Sequence, residues 1–255
     1  MMRLAFRWYG EEDRVTLDHI RQIPRTREVV FALHGVPAGQ AWAERELRAL
    51  ADRIAEKGLL PGVVESIPVA ESIKLGSPDR DGDIEAWTAS LRAAASVMMP
   101  YREALGHPPV ITYNFMPAFD WLRTDLDHTF ADGSTALAYR EDKVASMDPA
   151  SDSFALPGWF YDKRESANIL AQYREKTPGD IYGNLRYFLA AVLPEAERAG
   201  LVLAIHPDDP PWPVFGIPRI ITGEAALARL FSDLPSPANG LCFCKIGRAS
   251  CRERV

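Results

Sequence analysis

The stretch LVLAIHPDDPPWPVFGIPRI, Leu201 to Ile220, decides the fold. Its opening LVLAI is a short apolar run that fits a buried strand, and the run stops at His206. Two aspartates and a proline-rich loop around Trp212 follow. Just upstream, RAG (Arg198 to Gly200) is a helix-stop signal. A helix that stops just before a buried strand, which itself ends in a polar loop, is one unit of α/β alternation.

The same alternation runs outward through the chain. Strands are expected at Leu4 to Phe6, Val29 to Leu33, Gly62 to Glu65, Val110 to Tyr113, Leu201 to Ile205 and Gly240 to Cys244. Helices are expected at Thr16 to Gln22, Ala43 to Lys57, Ile84 to Leu105, Gly179 to Ala199 and Glu224 to Phe231. This order predicts a parallel sheet covered by helices. No Gly-x-Gly-x-x-Gly follows any of these strands, which disfavours a dinucleotide-binding sheet and favours a barrel. In a barrel the chemistry gathers where strands end. Those ends carry Arg7, Trp8 and Tyr9; His34; Glu65 and Ser66; Asn114 and Phe115; His206, Asp208 and Asp209; and Cys244.

Composition narrows the partners. With 47% hydrophobic and 25% charged residues, 255 residues suffice for a sizeable core. A net charge of −6 argues against nucleic acid and against an anionic membrane surface, leaving small molecules. No apolar run approaches membrane-spanning length and the N-terminus lacks a signal-peptide core, so a cytoplasmic location is expected. Cys242, Cys244 and Cys251 all crowd the C-terminus, so no disulfide framework spans the fold.

Between about Asp125 and Asp180 the alternation lapses into a connection too long for a plain loop. Its aromatic content (Phe130, Tyr139, Phe154, Trp159, Phe160, Tyr161) favours a packed insertion. The last residues, KIGRASCRERV, carry no strand or helix period and resemble the conceptual translation of a short-read sequencing adapter. We therefore read 1–244 as barrel and 245–255 as a non-native tail.

His206 is the first candidate metal ligand, although a lone histidine is more often structural. Cys244 is expected to end the neighbouring strand, and adjacent strands lie about 4.8 Å apart, so the two could share one ion of Mn, Fe or Zn. Asp208 and Asp209 fit metal binding, proton transfer or simple turn capping. Lys74, Arg123 and Arg219 are candidate carboxylate clamps. SPDRDGDIEAW, Ser77 to Trp87, superficially resembles a calcium loop, but with Gly82 misplaced it reads as a surface turn and helix start. The absence of a Gly-x-Ser-x-Gly elbow and of a phosphate-cradling loop disfavours hydrolases and kinases.

Eight ordered blocks resemble the mannonate dehydratase family: FRWYG (6–10), ALHGVPAG (32–39), VVESIPVAESIKLG (63–76), YNFMPAFDWLRTDL (113–126), DGSTALAY (132–139), LPGW (156–159), AIHPDDPPWPVFGIPRI (204–220) and SPANGL (236–241). The resemblance implies a (β/α)8 TIM barrel of the xylose-isomerase-like type, of which about six units are present here. It implies dehydration of D-mannonate to 2-keto-3-deoxy-D-gluconate with Mn2+ or Fe2+, His206 and Cys244 being metal ligands, and a further histidine and aspartate ligand beyond this chain. Two departures stand out. The family commonly has aspartate after the histidine of ALH where this chain has Gly35, and the 94–109 passage is longer and less regular than usual.

On this resemblance Arg7, Trp8, Lys74, Asn114 and Arg219 are expected to contact substrate, with Trp8 and Trp212 excluding water. His34, Glu65 and Asp208 are the expected proton carriers or their orienters. A homodimer is the expected assembly. Two alternatives stay open: a metal-dependent sugar isomerase or epimerase of the same barrel type, and a truncated fragment without turnover until its missing part is restored.

Overall fold

The computed structural model describes residues 3–120, 122–148, 151 and 163–244, the side chains of 163–166 excepted. The tail 245–255, with Cys251, and the expected insertion aromatics Phe154, Trp159, Phe160 and Tyr161 lie outside the described residues.

In chain order the elements are β1 (Leu4–Arg7), α1 (Leu17–Ile20), β2 (Thr26–Phe31), α2 (Glu44–Glu56), β3 (Leu60–Glu65), α3 (Glu71–Leu75), α4 (Arg80–Met98), α5 (Arg102–Leu105), β4 (Val110–Asn114), β5 (Asp125–Thr129), β6 (Thr135–Ala138), α6 (Glu141–Ser146), α7 (Lys163–Tyr173), α8 (Pro178–Ala199), β7 (Val202–His206), α9 (Glu224–Asp233) and β8 (Asn239–Leu241). Six strands form one sheet in the order β1-β2-β3-β4-β7-β8, parallel at every pairing. Helices separate its strands, giving an incomplete α/β barrel.

Strand alternation sorts the two faces of the sheet. Val29, Phe31, Val64, Ile111, Tyr113, Leu203 and Ile205 are buried. The Tyr113 ring meets Trp87 of α4 and Phe188 of α8 edge-on at 6.3 and 5.9 Å, which identifies this face as the helix-covered one. Arg7, Glu65, Asn114 and His206 each follow a residue of that face at the carboxyl end of their strand, so they share the opposite, inner face.

Terminal signals place the helices. Thr177 and Asp180 form a reciprocal capping box at the start of α8, Pro178 occupies its first turn, and Gly200 closes it in the left-handed region at φ 73°. The expected single helix 84–105 is instead α4, a short 3-10 turn at Met99–Tyr101, and α5. Pro100 has no N–H to continue the α-helical ladder, which accounts for the break.

The insertion differs from the expected lapse in structure. It contains the antiparallel β5-β6 hairpin, α6 and α7. It is packed against the barrel: the Tyr139 and Trp212 rings lie 5.3 Å apart, and Trp212 Nε1 donates to Tyr139 Oη at 3.1 Å. The expected strand 240–244 also needs correction. β8 ends at Leu241, with one further ladder bond from Cys242 N to Ile205 O at 2.9 Å. Cys244 N then donates to Cys242 O at 2.8 Å, closing a tight turn that carries Cys244 off the ladder.

Candidate active site

Four expected site residues meet at the carboxyl ends of the strands. Arg7 Nη1 donates to Glu65 Oε1 at 3.2 Å, bridging β1 and β3 across β2. The Arg7 guanidinium lies 4.7 Å from the Tyr9 ring centroid, and Tyr9 stacks on His34 at 5.6 Å. Among the described residues Arg7 Nε is buried without a hydrogen-bond partner. Partial desolvation holds the His34 imidazole below its ordinary value of 6.5. The Arg7 charge adds to this and the Glu65 charge opposes it. His34 is therefore neutral at neutral pH, with one ring nitrogen free to accept a proton.

Asn114 is the strand neighbour of His206. Its Oδ1 accepts from Met116 N at 3.2 Å and its Nδ2 donates to Asp120 at 2.6 Å. His206 is half-buried, with Nδ1 2.7 Å from Pro207 O, which fixes the ring. Beyond β8, Cys242 is half-buried, and burial together with the Glu65 charge pushes its thiol up to about 11. Cys244 lines a narrow cleft with Pro207, Asp208, Pro211, Thr222 and Phe243.

Other expected site residues sit elsewhere. Trp8 is 4% exposed and belongs to the core. Lys74 is buried, bonded to Glu71 at 2.7 Å and to Met116 O at 2.9 Å. Arg219 is buried and donates to Pro117 O at 3.0 Å and Phe119 O at 2.5 Å. Both cations clasp the backbone after β4 rather than opening toward a ligand. Asp208 is buried too, its Oδ2 accepting the N–H groups of Ile220 and Ile221 at 2.6 and 2.9 Å. Burial raises its pKa against the nearby Arg219 charge. The geometry makes Asp208 a loop clasp rather than a proton carrier. Asp209 is held by Arg123 through two hydrogen bonds, at 3.3 and 2.9 Å.

Sequence reasoning missed Glu71, Asp120 and Cys242. Only Glu71 had a local signal, standing three residues before Lys74 on one helical turn.

A parallel sheet with outer helices and with polar groups collected at the carboxyl ends of its strands defines the α/β-barrel class, in which that rim is where active sites generally lie. The family profile described as D-mannonate dehydratase (UxuA) matches residues 2–253, and the chain belongs to that family. It is 44% identical over 246 residues to a mannonate dehydratase of Streptococcus pneumoniae (strain 70585), covering 95% of this chain and 65% of the relative. It is 45% identical over 256 residues to one of Oceanobacillus iheyensis, covering 99% and 70%. The crystal structure of mannonate dehydratase from Streptococcus suis serotype 2 superposes with a TM-score of 0.82 at 43% identity, over 94% of this chain and 63% of that one. The chain thus spans about 65% of the length of its streptococcal relatives. No helix among the described residues is long and apolar enough to cross a membrane.

Proposed function

We propose that the rim formed by Arg7, His34, Glu65 and Asn114 binds D-mannonate for dehydration to 2-keto-3-deoxy-D-gluconate. The observation that carries this reading is the contact of Arg7 with Glu65 beside a neutral His34, in a chain of the mannonate dehydratase family.

Dehydration removes the proton from the carbon beside the carboxylate and expels the hydroxyl of the next carbon, with a proton, as water. The enol left behind becomes the 2-keto acid. Arg7 suits the substrate carboxylate, since a guanidinium presents paired donors to two oxygens and stabilises charge that develops there. Glu65 orients Arg7. His34, neutral and held against Tyr9, is the proton carrier, a role that typically contributes about 10²- to 10⁴-fold.

A divalent ion, Mn2+ or Fe2+, bound by His206 and Cys244 belongs to the same proposal. The imidazole suits Fe2+, whereas Mn2+ favours oxygen donors over a thiolate. Among the described residues, however, no group of three or more His, Cys, Asp or Glu side chains is placed to hold a metal. The donors present do not complete a shell, and no step is assigned to the ion. We also read the protein as a cytoplasmic homodimer in hexuronate (glucuronate) catabolism; the support is family membership and the acidic charge balance.

The test is calorimetric binding of D-mannonate, followed by mass analysis of the incubated mixture with Mn2+ present. A product lighter by one water supports the dehydratase reading. A product of unchanged mass supports the isomerase or epimerase reading, and binding without turnover supports an inactive fragment. No binding removes the proposal.

A further inference from the structure

The backbone after β4 is held by an unusual set of buried charges. Lys74 Nζ donates to Met116 O at 2.9 Å, and Arg219 donates to Pro117 O and Phe119 O at 3.0 and 2.5 Å. Ala118, in the left-handed region at φ 55°, donates its N–H to Glu71 Oε2 at 3.2 Å. Glu71 is fixed in turn by Lys74 at 2.7 Å and Tyr173 Oη at 2.5 Å. Lys74 and Arg219 are only 5% and 6% exposed, and among the described residues Arg219 Nε has no hydrogen-bond partner, so the bonds from its two Nη atoms and from Lys74 Nζ are what offset the cost of burying these cations. Such an arrangement fixes the path of four residues, Met116 to Phe119.

At the end of that clasped segment stands Asp120, exposed at the rim, its Oδ2 accepting from Asn114 Nδ2 at 2.6 Å. Asn114 Oδ1 is held by Met116 N, so the amide cannot flip without losing both bonds. One Asn114 N–H is left over, and Asp120 Oδ1 takes no hydrogen bond among the described residues. A free donor and a free acceptor thus lie side by side, next to the strand neighbour His206.

A hydroxyl group both accepts and donates one hydrogen bond, and a donor–acceptor pair at this spacing matches it. We propose that Asn114 and Asp120 form a hydroxyl-reading pair that recognises one specific hydroxyl of the polyhydroxylated acid. Asp120 accepts the O–H proton while Asn114 donates to the oxygen. This makes Asp120 a specificity-determining residue, and the inference rests on the sugar-acid reading above.

The experiment is calorimetric titration of the wild type, Asp120→Ala and Asp120→Asn with D-mannonate and its set of monodeoxy analogues. In the wild type, removal of one particular hydroxyl weakens binding about tenfold or more, because its charge-assisted hydrogen bond to the Asp120 carboxylate and the one it accepts from Asn114 are both lost. In Asp120→Ala that analogue binds as well as D-mannonate itself, while the penalties for the other hydroxyls persist. Asp120→Asn keeps the side-chain volume but loses the charged acceptor, so it is expected to lose most of the same preference, and wild-type melting temperatures in both variants exclude loss of fold as the cause. A residue that merely supports the loop would weaken all analogues by one common factor, and that result overturns the assignment, as does unchanged D-mannonate binding in Asp120→Ala. If the wild type binds no hexonate at all, the sugar-acid reading falls and this inference with it. Wild-type binding with an unresponsive Asp120 removes only the hydroxyl-reading pair.

Discussion

Arg7 and Glu65 are 58 residues apart in sequence and on strands that are not neighbours, yet their side chains meet at 3.2 Å over the end of β2. The side chains are 38% and 31% exposed, so the pair contributes little to stability. Its value lies in holding a guanidinium at the rim. Arg7→Ala is expected to lower D-mannonate affinity about tenfold or more while leaving the melting temperature nearly unchanged, as calorimetry and thermal unfolding check. A large loss of stability with unchanged affinity would make the pair structural.

His34 titrates below 6.5, from partial desolvation and then from Arg7, with Glu65 working against both. The folded protein binds a proton there less readily than the unfolded chain. The contribution of His34 to stability is therefore full above the unfolded value and falls as the pH drops through it toward the depressed folded value. Imidazole NMR titration should show the His34 midpoint rise in Arg7→Ala and fall further in Glu65→Gln.

The pair Arg123–Asp209 is 4% and 3% exposed and joined at 2.9 Å. Arg123→Ala removes both hydrogen bonds that the guanidinium makes to this buried carboxylate and is expected to cost about 3–5 kcal/mol in denaturant unfolding. The exposed pair Arg48–Glu44, although at 2.6 Å, should cost under about 1 kcal/mol when Arg48→Ala breaks it.

The Cys242 thiol, pushed up to about 11 by burial and then by the Glu65 charge, is mostly protonated at neutral pH. It should resist iodoacetamide near pH 8, since the thiolate is the reacting form. Glu65→Gln removes one cause of the shift and should speed its alkylation, followed by peptide mass analysis.

The barrel strands were legible because their apolar runs are bounded by helix stops and polar loops, as in RAG before β7 and HPDD after it. β8 was placed from the same pattern, but its end was not: the Cys242–Cys244 turn depends on a backbone bond the sequence does not display. The β5-β6 hairpin escaped because DLDHT and TALA are largely exposed and carry no apolar alternation to mark a core face. At five residues, α3 is too short for periodicity to register. The strand-end rule brought Arg7, His34, Glu65, Asn114 and His206 to one rim. Lys74 and Arg219 were misplaced because their partners are backbone carbonyls of a distant loop, which only the tertiary fold supplies.

The most direct measurement is calorimetric titration of the protein with D-mannonate. Saturable binding is expected in the range of about 1 µM to 1 mM, typical of enzymes for their substrates, weakened at least about tenfold by Arg7→Ala. No heat of binding up to several times that range, or binding untouched by Arg7→Ala, would contradict the assignment of this rim as the D-mannonate site.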